Sequence, residues 1–243
     1  MDDGNNVTEP ILEPSGWVTV QPGRCHMPLI GDVTITKPFE IQATPVTQAQ
    51  WLSLMGNKPS FFTGDDLPVE NVSWYDAVAY CNALSKSRGV EEAYIVNGTT
   101  VKWKGLRCAG FRLPTSAEWE YACKAGTTGE RYGVLDDIAW YDQNSDNKTH
   151  QVGKKQPNAW GLYDMIGNVS EWCWDLGGRP RPPAAVTDPI GQKTGSFRVH
   201  RGGNWRGSAD GYNSDRPGAL GPAIERPDKR RFNIGFRPAR SLP

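Results

Sequence analysis

After Gly126 this chain offers no convincing helix, so its second half reads as short strands and ordered loop. Alternating strand and helix units are absent, as are the periods of solenoid repeats and any glycine fingerprint for a dinucleotide or a phosphate. What remains is an α+β fold with few helices, all in the first half. The 243 residues contain no Ser/Gly linker or low-complexity run, so residues 16–243 read as a single domain behind a polar, Pro-containing tail of residues 1–15. With 27 Gly and 19 Pro the chain is rich in turns, and ten Trp, eight Tyr and seven Phe supply the large buried area that a lean 37% hydrophobic content otherwise lacks.

Three helix starts share one signature. Thr47-Gln-Ala-Gln50, Ser73-Trp-Tyr-Asp76 and Thr115-Ser-Ala-Glu118 each set a hydroxyl three residues before an acid or amide, the pattern that satisfies orphan amide donors reciprocally. Asp76 is a weaker variant of that last position. Trp74, Ala77, Val78, Cys81 and Leu84 form one apolar stripe that Gly89 can end, and Trp119, Ala122 and Cys123 face inward on a helix from Ser116 to Ala125. Strands are expected at Trp17 to Gln21, Asp32 to Thr36 and Phe39 to Ala43. A hairpin is expected where Ala93-Tyr-Ile-Val and Thr100-Val-Lys-Trp flank Asn97-Gly98.

Charge and cysteine usage narrow the partners. Net charge is zero, and only Arg226 to Arg231 concentrates positive residues, so nucleic acid, which demands a basic face, is not expected. No apolar run is long enough to span a bilayer, and the acidic start Met1-Asp-Asp-Gly is unlike a secretory signal, so the sequence as it stands reads as cytoplasmic. Cys25, Cys81, Cys108, Cys123 and Cys173 are odd in number and widely spaced, which fits neither a zinc site nor a disulfide framework. They read as small buried hydrophobes in a reducing compartment.

Five blocks then stand out: Leu67-Pro-Val-Glu-Asn-Val-Ser-Trp74, Gly110-Phe-Arg-Leu-Pro-Thr-Ser-Ala-Glu-Trp119, Asn158-Ala-Trp-Gly-Leu-Tyr-Asp-Met-Ile-Gly-Asn-Val-Ser-Glu-Trp172, and the bookends Arg198-Val-His-Arg-Gly-Gly-Asn-Trp205 and Asn233-Ile-Gly-Phe-Arg-Pro-Ala-Arg240. Together they resemble the formylglycine-generating enzyme (sulfatase-modifying factor) family over nearly all of residues 17 to 240. The resemblance implies a C-type-lectin-like fold whose chain ends pair as strands. It also implies a structural calcium ion at Asn168 and Glu171, whose side-chain oxygens with the intervening carbonyls suit a hard cation. In the resembled enzymes a cysteine pair between the bookends holds copper(I). Here Gly207 and Tyr212 fall at those positions, so no copper is expected and formylglycine generation is in doubt.

Residue by residue, most of these motifs read as structure. Arg112, Glu118 and Glu120 anchor a helix, Trp119, Trp160, Trp172 and Trp174 pack, and Gly202-Gly203 lets backbone pass under a side chain. Asp142-Gln-Asn-Ser-Asp146 begins like an EF-hand but has Gly153 where the closing Glu belongs. His26, His150 and His200 lie far apart with no zinc-binding spacing, and no nucleophile elbow occurs, so no catalytic residue is named. Residues 204 to 232 differ. They mix aromatic, charged and polar side chains among Gly and Pro turns without a run of aliphatics, as a binding surface does. The segment also resembles the variable surface of retroelement-diversified C-type-lectin-like proteins. The function expected is recognition of a protein or small-molecule ligand through Trp205, Arg206, Asp210, Tyr212, Arg216, Glu225, Arg230 and Phe232. The competing readings are an oxidoreductase of the resembled family with an altered site, and a scaffold pseudoenzyme.

Overall fold

A computed structural model describes residues 16–28, 30–177, 185–207 and 221–242. The three helix signatures all become capping boxes. α1 (Gln48–Met55) starts at Thr47 with Gln50 reaching back, α2 (Trp74–Ser87) at Ser73 with Asp76, and α3 (Ser116–Lys124) at Thr115 with Glu118. The whole apolar stripe of α2 is buried, and α3 is enclosed along its entire length. Each fully buried large apolar side chain on these faces stabilises the fold by about 1.5–3 kcal/mol.

Most of the thirteen strands among the described residues are short. β1 (Trp17–Val20), β2 (Gly23–Met27), β3 (Gly31–Ile35) and β4 (Phe39–Gln42) precede α1, and β5 (Tyr94–Asn97), β6 (Thr100–Trp103) and β7 (Phe111–Arg112) separate α2 from α3. A single turn, α4 (Leu135–Ile138), then leads to β8 (Ser170–Gly177), β9 (Val186–Thr187), β10 (Phe197–Arg201), β11 (Ala223–Glu225), β12 (Ile234–Gly235) and β13 (Ala239–Ser241). One four-stranded sheet has the order β1-β4-β13-β7, and a second has the order β11-β10-β8-β12. β2, β3 and β9 form a third sheet, and β5 and β6 the expected hairpin, with Val96 opposite Val101.

Three expectations need correction. The chain ends do not pair with each other: β1 and β13 lie on either side of β4, which separates them by one strand. A helix does occur after Gly126, but it is one turn whose N-cap, Val134, makes no side-chain cap bond, so it leaves no signature in the sequence. β2 was not anticipated because its Gly-Arg-Cys-His-Met run has no apolar alternation; Arg24 and His26 face solvent while Met27 is buried.

Buried ion pairs join the sheets to α3. Arg237, on the loop between β12 and β13, uses all five of its donors: two on Glu171 at 2.7 Å each, and the rest on the carbonyls of Gln42, Ala43 and Tyr163. Glu171 also accepts from the Trp119 indole at 2.7 Å. Arg112 grips Glu118 bidentately, and Arg201 pairs with Glu120. The anchoring roles read for Arg112, Glu118 and Glu120 therefore hold. Gly202 shows why the paired glycines are needed: at φ 93° it lies so close under Trp119 that a Cβ would sit 2.9 Å from the Met165 carbonyl and 3.1 Å from the indole ring.

Candidate binding face

The segment from Asn204 to Phe232 is launched and received by one sheet. β10 delivers the chain to Gly202, β12 collects it beside β8, and β11 returns antiparallel to β10, with Arg198 opposite Glu225. The launch is held by hydrogen bonds. Asn204 is buried; its amide donates to Ser170 Oγ and its oxygen accepts the Arg206 N–H. The Trp205 N–H donates to the Asn168 carbonyl, and Ser145 Oγ donates to the Trp205 carbonyl at 2.8 Å.

From that launch the side chains divide. Trp205 is buried, its indole edge-on to Phe62 and its N–H directed at the Phe232 carbonyl. Its expected role as a ligand contact is thus corrected to the floor of the face. Arg206 is exposed and lays its guanidinium over Trp205 and Phe232, 5.6 and 5.4 Å from their ring centroids. Phe232 is half-buried. Arg230 is exposed and pairs with Asp76, which also closes the α2 capping box. Glu225 is half-buried; although burial pulls its carboxyl up, the Arg226 N–H and the Arg231 guanidinium hold it below the usual range. Asp210, Tyr212 and Arg216 lie outside the described residues. The basic stretch is largely neutralised by Arg226–Asp228, Arg230–Asp76 and Arg231–Glu225 pairs.

The face has a second component that sequence reading missed. Phe61 projects from the loop after α1, 70% exposed, and its ring lies 5.8 Å from Phe232. Phe62 beside it packs edge-on against Trp205 at 5.5 Å. The only signal available was a pair of aromatics among turn residues, Lys58-Pro-Ser-Phe-Phe-Thr-Gly64. Nothing local tied that loop to residues 204–232.

Chemistry fares differently. Gly207 is buried, with its N–H on the Asn204 carbonyl. The cysteines are all free and lie outside the face, and burial raises the pKa of every one, Cys25 to about 11. None is a ready thiolate at neutral pH. His150 stacks on Trp140, whereas His200 lies against Trp172 and burial pushes its imidazole down to about 4. Among the described residues no group of three His, Cys, Asp or Glu is arranged to hold a metal ion. The donors at Asn168 and Glu171 do not fit calcium. Both Glu171 oxygens accept from Arg237, one of them also from Trp119, and the Asn168 oxygen accepts the His150 N–H. A guanidinium in direct contact repels the cation that this carboxylate was expected to bind.

Residues 4–242 match the sulfatase-modifying factor enzyme 1-like domain. The chain belongs to this family. It is 33% identical over 225 residues to chaperone protein LppX of Paenibacillus barcinonensis, covering 76% of this chain and 77% of that protein. The formylglycine-generating enzyme of Streptomyces coelicolor is 31% identical over 210 residues, which are 79% of this chain but 58% of the enzyme. Against the solved structure of Treponema denticola variable protein 1 the TM-score is 0.84 at 35% identity, covering 93% of this chain and 95% of that one. The family member described here therefore has the C-type-lectin-like fold of a variable protein, a single domain of few helices and mostly short strands. Among its described residues no helix is long and apolar enough to cross a membrane.

Proposed function

We propose that this family member is a ligand-binding protein that recognises its target through the surface of residues 204–232, carried on a scaffold that has lost the family's thiol chemistry. The observation that carries the reading is the contrast at the launch of the segment. Asn204 and Trp205 are buried and hydrogen-bonded, while Arg206, Arg230 and the outer edge of Phe232 turn to solvent. Rigid framing with adaptable polar and aromatic contacts is how a paratope limits the entropy lost on binding. The likeness to a variable protein supports diversification of this surface by a retroelement, and the relative described as a chaperone supports binding over catalysis. Residues Gly207 and Tyr212, where thiolates would have to stand, weigh against a formylglycine-generating oxidoreductase.

A display library tests this. Arg206, Asp210, Tyr212, Arg216, Glu225 and Arg230 are randomised together, and the library is selected against an unrelated folded protein such as hen lysozyme. Well-folded binders with new specificity are expected. A library whose members mostly fail to fold would make the segment the end of the core instead. In parallel, purified protein supplied with copper should leave a Cys-x-Pro-x-Arg peptide unoxidised; turnover would restore the enzyme reading. A reverse transcriptase gene beside a near-copy of the 3′ coding end would support retroelement diversification.

A further inference from the structure

The binding-face reading concerns one continuous segment, yet its most exposed aromatic neighbour comes from elsewhere in the chain. Phe61 stands on a loop that is pinned at several points. The Phe62 N–H donates to the Glu70 carboxyl at 2.9 Å, the Glu70 N–H to Ser60 Oγ at 3.2 Å, the Asn71 amide to the Pro59 carbonyl at 2.8 Å, and the Gly64 N–H to the Gln48 side chain at 3.2 Å. A large apolar ring held outward on an ordered loop loses little entropy on contact, and ordering cost is what most often erodes affinity.

Among the described residues no carboxylate pairs with the Arg206 guanidinium beside it. The arginines at 226, 230 and 231 each face a carboxylate, whereas among the described residues the Arg206 guanidinium lies over the faces of Trp205 and Phe232. An exposed guanidinium resting on aromatic rings keeps its outer donors for an incoming carboxylate, and Arg binds that group bidentately. The shape also selects the class of partner. Small molecules are taken up in concave sites that surround them, whereas a projecting Phe61 is a knob suited to a protein surface.

We infer that Phe61, Phe232 and Arg206 form one recognition spot for a protein segment that presents an apolar side chain next to a carboxylate, an assignment that rests on the binding-face reading above. Phe61 supplies an anchor outside residues 204–232, so the spot keeps its apolar half when the rest of the face changes.

The test uses the intact chain, immobilised and selected against a phage library of short random peptides. Enrichment of peptides that pair an acidic with an aromatic or aliphatic residue is expected. Synthetic copies of them should bind Phe61→Ser about tenfold more weakly, and Arg206→Glu should reverse the preference from acidic to basic flanks. Melting curves of both variants should match the parent, because both side chains are exposed. If enriched peptides bind both variants as well as the parent, yet lose binding on substitution of Tyr212 or Arg230, the binding face stands and this inference falls. Enrichment of basic or purely polar peptides, or of none, also overturns it.

Discussion

At the scale of single residues, the network around Glu171 determines what this scaffold tolerates. A buried carboxylate and guanidinium in full mutual contact are costly to desolvate together, and far costlier to separate. Glu171→Ala should therefore cost about 3–5 kcal/mol in urea denaturation, since Arg237 is left charged and buried. A chelator should leave the melting curve of the parent unchanged. A clear chelator-induced fall in a protein shown to start calcium-loaded would mean that the carboxylate binds metal after all. Glu70 is the opposite case, a buried acid with one oxygen lacking a hydrogen-bond partner among the described residues. Burial raises its pKa from 4.5 to about 7 against the pull of the Phe62 and Phe61 N–H groups. Because its folded pKa lies above the unfolded one, its cost is absent in acid, grows as pH rises from the unfolded value, and is complete above about 7. Glu70→Gln should thus gain stability relative to the parent at about pH 8 and lose that advantage at about pH 5. Asp164 and Asp175, raised to about 6 and about 7 by burial, bend the parent curve the same way, so the difference between the two proteins is the quantity to measure.

At the scale of elements, what could be read from the sequence was what local chemistry writes there. The capping boxes at Thr47, Ser73 and Thr115 were legible because a hydroxyl and an acid or amide three residues apart serve each other within one turn, and the α2 stripe because burial repeats at the helical period. Removing the buried cap with Thr115→Ala should cost about 1–2 kcal/mol by thermal or chemical denaturation, and an unperturbed stability would mean that packing alone sets the start of α3. Elements without local chemistry were not legible. α4 has no cap, and β2 exposes its charged residues and is held by pairing with β3. The separation of β1 from β13 by β4 is a property of sheet order, to which a terminal strand's own residues are indifferent.

At the scale of the whole molecule, the candidate site was legible as a segment but not as a surface. The absence of cysteines and of any run of core-forming aliphatics in residues 204–232 was visible in the letters. Two facts depended on the fold: the Trp205 indole turns inward to roof Phe62, and Phe61 arrives beside Phe232 from a loop far away in sequence. Aromatic residues in a polar stretch look alike whether they form the floor of a face or its contact edge, and only packing separates them. The scaffold is joined by buried ion pairs between distant segments, Arg237 with Glu171 and Arg201 with Glu120, and none of these four residues lies in 204–232.

The central claim is that this face carries recognition and not stability. It is tested most directly by melting a variant in which Arg206, Asp210, Tyr212, Arg216, Glu225 and Arg230 are all replaced by Ser, beside the single variant Trp205→Ala. On the binding-face reading these six side chains contribute little to stability, so the sixfold variant should melt cooperatively within about 5 °C of the parent. Trp205→Ala should lose about 3–5 kcal/mol. A sixfold variant that loses cooperative melting while Trp205→Ala stays at parental stability would contradict the account, because these six side chains would then be holding the fold together.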